Sequence, residues 1–134
     1  MSMHKLSLVL IVLAGVSVSC QDKDVVESSV IGKWKLIEEL FDPGDGSGTF
    51  QPVTRNMTIE FFNNNTFASS ENLCASTTGN STTGTFSPDD KTLSPENCSN
   101  SGFILHFNLE GSNLIISYPC IEPCQQKFVQ VQAD

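Results

Sequence analysis

Basic charge is what this chain has least of. Seven lysines and arginines stand against fifteen aspartates and glutamates in 134 residues, and Arg55 is the single arginine. Phosphate recognition depends on clustered Lys and Arg. No such cluster exists, so nucleic acid is excluded as a partner, and the acidic balance reads as a soluble, self-repelling surface. Histidine is almost as scarce, with only His4 and His106. His106 has no serine or cysteine marked as its nucleophile, and alternation puts it on the face opposite Phe103, Leu105 and Phe107, as a surface histidine. Glu38 and Glu39 are neighbours, and on a strand adjacent side chains leave opposite faces, which removes the simplest paired-carboxylate site. The reading is of a protein that is not an enzyme, with no cofactor and no metal.

A long apolar run is also lacking. Crossing a bilayer takes about twenty apolar residues, whereas the longest run here, Leu6 to Val18, has thirteen. It follows His4 and Lys5 and leads into Ser17-Val18-Ser19-Cys20, the layout of a secretion signal. The small residues before Cys20 resemble a bacterial lipoprotein lipobox. That resemblance implies that residues 1–19 are a signal peptide and that Cys20 carries lipid, tying the chain to a membrane. Gln21 to Ser29 holds charges and serines without an aromatic, as a flexible tether should, so 20–29 is read as the lipidated tether. The remainder, 30–134, is one domain with a small hydrophobic core.

Export governs how the cysteines are read. Besides Cys20 there are Cys74, Cys98, Cys120 and Cys124, an even number in a small exported domain, and two disulfides are expected. Paired Cys-x-x-Cys spacing is missing, which argues against a zinc site. Three pairings are possible; local closure of Cys120 with Cys124, leaving Cys74 for Cys98, is favoured.

What the domain does have is a period of two. Trp34, Leu36, Glu38 and Leu40 share one face of an extended segment, Met57, Ile59 and Phe61 share one face of a second, and Phe103, Leu105, Phe107 and Leu109 repeat the pattern. Further strands are expected over 66–70, 83–87, 91–94, 113–118 and 127–131, eight in all. Lys33 to Phe41 is the one segment with competing helix propensity. The connections alternate in kind. Asn63-Asn64-Asn65, Pro88-Asp89-Asp90 and Glu110-Gly111-Ser112 are tight turns, and Asp42 to Pro52, Glu71 to Thr82, Pro95 to Ser101 and Pro119 to Gln126 are longer. In an up-and-down meander this gathers every short turn at one end and every long loop, with all four cysteines, at the other. A small antiparallel β-barrel of about eight strands, closed at the short-turn end and elaborated at the long-loop end, is the expected fold.

Asp42-Pro43-Gly44-Asp45-Gly46-Ser47-Gly48 has the carboxylates and glycines of a calcium loop but not the spacing. Counting from Asp42, glycines occupy ligand positions and the twelfth residue is Val53 rather than glutamate. Asn56, Asn64, Asn80 and Asn97 each begin an Asn-x-Ser or Asn-x-Thr triplet, read here as turn and surface residues.

Ile31-Gly32-Lys33-Trp34-Lys35-Leu36, the glycine loop after Asp42, Thr58-Ile59-Glu60-Phe61-Phe62 before an asparagine turn, Gly84-Thr85-Phe86 and Tyr118-Pro119-Cys120-Ile121-Glu122-Pro123-Cys124 together resemble the lipocalin-like lipoproteins of Bacteroidetes bacteria. The resemblance implies a lipocalin-like barrel with Trp34 at its floor, in an outer-membrane lipoprotein on the periplasmic or cell-surface face. An eight-strand barrel has room for its own side chains or for one small ligand. If a cavity exists, alternation makes Met57, Ile59, Phe61, Phe67, Phe103, Leu105 and Phe107 its walls, opening between the long loops. Two functions are therefore expected: binding of a small hydrophobic ligand, or, if the barrel is filled, binding of a protein partner through Asp42 to Pro52 and Glu71 to Thr82.

Overall fold

The computed structural model describes residues 29–75 and 79–132; the signal peptide, Cys20 and most of the tether lie outside the described residues. Those described form nine strands and no helix: β1 (Gly32–Phe41), β2 (Gln51–Pro52), β3 (Thr58–Phe61), β4 (Thr66–Ser69), β5 (Thr82–Ser87), β6 (Thr92–Pro95), β7 (Leu105–Glu110), β8 (Asn113–Ser117) and β9 (Cys124–Val131). All neighbours are antiparallel, in the order β2-β1-β3-β4-β5-β6-β7-β8-β9, and β1 also pairs with β9. That last pairing closes a barrel of eight strands. β2 is an added strand, set against β1 at Glu38 and Glu39.

Alternation produces the core as expected. Buried Trp34 and Leu36 flank exposed Lys35 in β1, and buried Leu105 and Phe107 flank exposed His106 in β7. Lys33 to Phe41 is strand rather than helix, because its inward residues gain burial and both its edges gain ladder partners. Several boundaries shift by one residue, among them Lys91, expected to open a strand and found in the turn before β6, and two shift further. Phe103 donates its N–H to the Asn100 carbonyl at 3.3 Å, and this turn leaves it a partly buried loop residue packed on the core. The last strand starts at Cys124, earlier than Lys127, because β1 runs long enough to pair with it as far as Phe41.

A third difference has larger consequences. The β1–β9 register slips between Leu36 and Glu38, a β-bulge at Ile37. One extra residue inverts the side-chain phase, so Trp34, Leu36, Glu38 and Leu40 do not share a face. Beyond the bulge Glu39 is opposite buried Gln126, whereas Glu38 is opposite Lys127 and forms an ion pair with it.

The interior is filled. Ile59, Leu73, Leu93, Leu105, Leu114, Ile116 and Phe128 are 0% exposed, and Leu36, Met57, Phe61 and Phe67 are 1% exposed. A void able to admit a water molecule would leave exposed surface on the side chains around it, so none borders these residues. Phe61 is the hub of the aromatic packing, 5.0 Å from Phe86 in edge-to-face contact, 6.0 Å from Phe107 and 6.2 Å from Phe67 between ring centroids. Such contacts add to area burial.

Gly84 shows how tight the fit is. A Cβ there would stand 2.8 Å from the Phe67 ring and collide with the Ser94 carbonyl of β6. Gly84→Ala is expected to destabilise the fold by about 1–3 kcal/mol through overpacking. Urea unfolding should show a lowered midpoint, and an unchanged midpoint would mean that β5 and β6 separate easily.

Candidate functional site

The three short turns, 62–65, 88–91 and 111–112, lie at one end of the barrel, and the four long connections lie at the other, as the alternation implied. The long-loop end, where an opening was expected, is closed by its own loops. Leu73, between β4 and β5, is folded fully into the core and its N–H donates to the Thr82 hydroxyl at 3.0 Å. Above it lies a polar network made possible by the bulge. Arg55, from the loop before β3, donates to Glu39, and its second terminal nitrogen lies 3.3 Å from Glu71 Oε2 as an ion contact without hydrogen-bond alignment. Gln126 Nε2 also donates to Glu39 at 2.8 Å, and the Tyr118 hydroxyl donates to Gln126 Oε1 at 2.8 Å. Burial, reinforced by the nearby Glu39 carboxylate, raises the Tyr118 phenol above its usual range, with Arg55 opposing. This phenol is a hydrogen-bond donor rather than a base.

Both disulfides staple that end. Cys74 is joined to Cys98 with Cα atoms 5.3 Å apart, and Cys120 to Cys124 with Cα atoms 6.1 Å apart. A bridge of this kind typically contributes about 2–4 kcal/mol. Apolar residues remain outside on the same rim: Ile121, inside the Cys120–Cys124 loop, is 100% exposed, and Phe41, opposite Cys124 in the ladder, is 54% exposed.

The cavity is at the other end. A recess of about 630 Å³ opens beside the short turns. Its apolar wall is Val30 and Ile31 before β1, Phe86 of β5, Pro88, and Phe107 and Leu109 of β7; Ser29, Asn63, Asn65, Lys91 and Asn108 supply polar groups. The ladder explains why it is there. β6 pairs with β7 only through Thr92↔His106 and Leu93↔Leu105, and a last bond runs from the Phe107 N–H to the Lys91 carbonyl at 2.9 Å. Beyond it Asn108, Leu109 and Glu110 extend past the Pro88–Lys91 turn with β8 on one edge and no described strand on the β6 side. The barrel wall has a notch, and the segment before β1 lies along it. Val30 is pinned there by the Trp34 indole N–H, which donates to its carbonyl at 2.7 Å.

Of the residues expected to line a cavity, only Phe107 does so. Met57, Ile59, Phe61, Phe67 and Leu105 are packed in the filled interior, and Phe103 is in the loop before β7. The expected opening between the long loops is corrected to a recess at the short-turn end, because Leu73 and the Arg55 network occupy the first position and a short β6 leaves the second uncovered. Lys91, Asn108 and Leu109 were not among the residues expected to line a cavity, although Leu109 shares the inward alternation of Leu105 and Phe107. A signal existed, since Lys91 ends its turn where the equivalent residue of the first turn is Asn65.

The glycine loop after β1 holds itself together. Asp42 Oδ1 accepts the N–H groups of Gly44 at 2.8 Å and Gly46 at 3.0 Å, and Oδ2 accepts that of Gly48 at 2.8 Å. Only glycine fits at 48, where a Cβ would come within 2.7 Å of the Asp42 Cα. Asp42 thus serves its own loop, and no group of three His, Cys, Asp or Glu side chains able to hold a metal occurs among the described residues. Compared with family models, with curated proteins and with solved structures, the chain matches none of them.

The amides of Gly48 and then Gly44 lower the Asp42 pKa below its ordinary 3.8. A carboxyl depressed in the folded state supports its loop above the unfolded value and loses that support as pH falls through the native one. The protection of the Gly44, Gly46 and Gly48 amides, their exchange rate relative to that of an unstructured chain at the same pH, should therefore hold down to pH about 4 and fall below it. Asp42→Asn should abolish that acid step, and its persistence in the variant would assign it to another group.

Proposed function

We propose that this chain is a membrane-anchored extracytoplasmic binding protein, a lipocalin-like lipoprotein of the outer membrane held by lipid on Cys20, and that it binds a small, largely hydrophobic ligand in the short-turn recess. The recess itself carries the reading. Its volume of about 630 Å³ falls within the usual range for small-molecule sites, about 300–1,000 Å³. Its wall is divided about evenly between apolar side chains and hydrogen-bonding groups, which gives an apolar body a surface to lie on and polar groups to orient it. The ligand is thereby moved out of the barrel interior, which its own side chains occupy.

A second reading rests on the opposite end. Ile121 and Phe41 are exposed apolar side chains on a rim braced by two disulfides. Rigid exposed hydrophobics are characteristic of protein–protein contact sites, and they support a partner docking on the long loops.

Uptake of a hydrophobic fluorescent probe separates the two. Leu109→Trp, which fills the recess from a partly exposed position, should weaken uptake by about tenfold or more with little change in melting temperature. Ile121→Asp should leave uptake alone. Equal uptake by wild type and Leu109→Trp would remove the ligand reading, and loss of uptake only in Ile121→Asp would transfer binding to the rim.

A further inference from the structure

We infer that the ligand of the short-turn recess is an anionic amphiphile, its apolar body lying on Phe86, Phe107 and Val30 and its anionic head received by Lys91; this rests on the ligand reading above. Among the described residues Lys91 is the only charged side chain on the recess wall. Its ammonium contacts Asn108 Oδ1 at 3.2 Å. The ion pairs among the described residues join Arg55 to Glu39 and Glu71, and Lys127 to Glu38, so Lys91 has no carboxylate partner among them. Asp90 beside it instead accepts the Ser87 hydroxyl at 2.8 Å. In a chain of net charge −8, a cation without a carboxylate at the mouth of a cavity is well placed for an anion supplied from outside. Lys33 and Lys35 also lack ion pairs among the described residues, but they do not line the recess.

The backbone at Lys91 points the same way. Each short turn puts a residue in the left-handed region: Asn65 at φ 61°, Lys91 at φ 53° and Gly111 at φ 60°. Asparagine and glycine adopt that conformation readily, whereas a lysine there is strained. Stability alone favours Asn or Gly at 91, and strain held beside a cavity suggests a functional use.

Further donors converge on the same spot. Phe107 turns its N–H toward Lys91, so the alternation of the strand directs the Leu109 N–H to the same side, beyond the end of β6. Among the described residues it has no hydrogen-bond partner. Asn108 turns its oxygen toward Lys91, and its NH₂ group has no hydrogen-bond partner among the described residues. An ammonium, a side-chain amide and a backbone N–H suit a carboxylate, sulfate or phosphate head, which accepts several hydrogen bonds at once.

Calorimetric titration of the full chain with dodecanoate and with uncharged dodecanol, both below the concentration at which they aggregate, tests this. Dodecanoate should bind about tenfold tighter. Lys91→Gly should erase that preference without lowering the unfolding midpoint, and Lys91→Arg should preserve it. Equal binding of the two probes by wild type, or a preference that survives in Lys91→Gly, overturns the anionic head and leaves the hydrophobic-ligand reading standing; binding of neither probe overturns both. Displacement of bound dodecanoate by phosphatidylglycerol vesicles, and not by phosphatidylcholine vesicles, supports a membrane lipid as the source. Bound dodecanoate that neither vesicle displaces supports a free amphiphile.

Discussion

Everything in this barrel depends on β1 being hydrogen-bonded along both edges. One edge runs the length of β9, and the other is shared between β3 near the start of the strand and β2 near its end. Without the β9 pairing the eight strands would be an open sheet with two exposed edges, a state prone to edge-to-edge association. The bulge at Ile37 makes the long pairing serve two purposes. Before it, β1 sends Trp34 and Leu36 into the apolar core; after it, Glu39 faces inward beside Gln126. One residue of slip thus converts the upper third of the barrel from apolar packing to a polar plug.

That plug determines where a ligand can go. Glu39, Arg55, Glu71, Gln126 and Tyr118 are partly or fully buried, and groups removed from water are held by partners; here hydrogen bonds join all but Glu71, whose contact with Arg55 is ionic. They draw together β1, β9 and the loops on either side of β3–β4, while Leu73 fills the space beneath and the Cys74–Cys98 bridge holds its loop in place. Such a network is rigid because losing one member leaves another buried without a partner. An opening at this end would require its dismantling. The rim is accordingly a surface, suited to contact rather than to enclosure.

Alternation made the barrel legible in the sequence, and so did the segregation of turns, because both follow from a period of two and from residues that tolerate turn geometry. The cysteines were readable for the same reason: counting strands puts all four at one end. The bulge was not readable, since nothing in Leu36-Ile37-Glu38-Glu39 distinguishes a slip from regular alternation, and the partner that fixes it, β9, is remote in sequence. The short extra strand β2 was missed because Gln51 and Pro52 carry no strand pattern of their own and are held by β1. The recess was missed for a related reason. Strand lengths on two neighbouring hairpins must be compared in three dimensions to see that β7 outruns β6. Six of the seven residues expected to line a cavity are buried in the interior, Phe103 being in a loop, but alternation says only that a side chain points in, and not whether space remains there.

The short-turn recess follows from unequal hairpins in the way that the closed rim follows from the bulge. Where β7 passes the end of β6, its outward backbone groups lose their ladder partners, and such groups need water or a ligand. Phe86, Phe107 and Leu109 lie beside them, so the notch joins donors that are unpaired among the described residues to apolar surface. That combination favours a molecule with two chemical ends over a purely apolar one, which would leave the donors unpaired, or a purely polar one, which would leave the aromatic wall wet. The recess is also the end at which the chain enters from Ser29. If Cys20 anchors the chain as proposed, the notch faces the membrane and the stapled rim faces away from it. The two functional readings then address opposite directions, and a ligand taken from the membrane side would not compete with a partner bound at the rim.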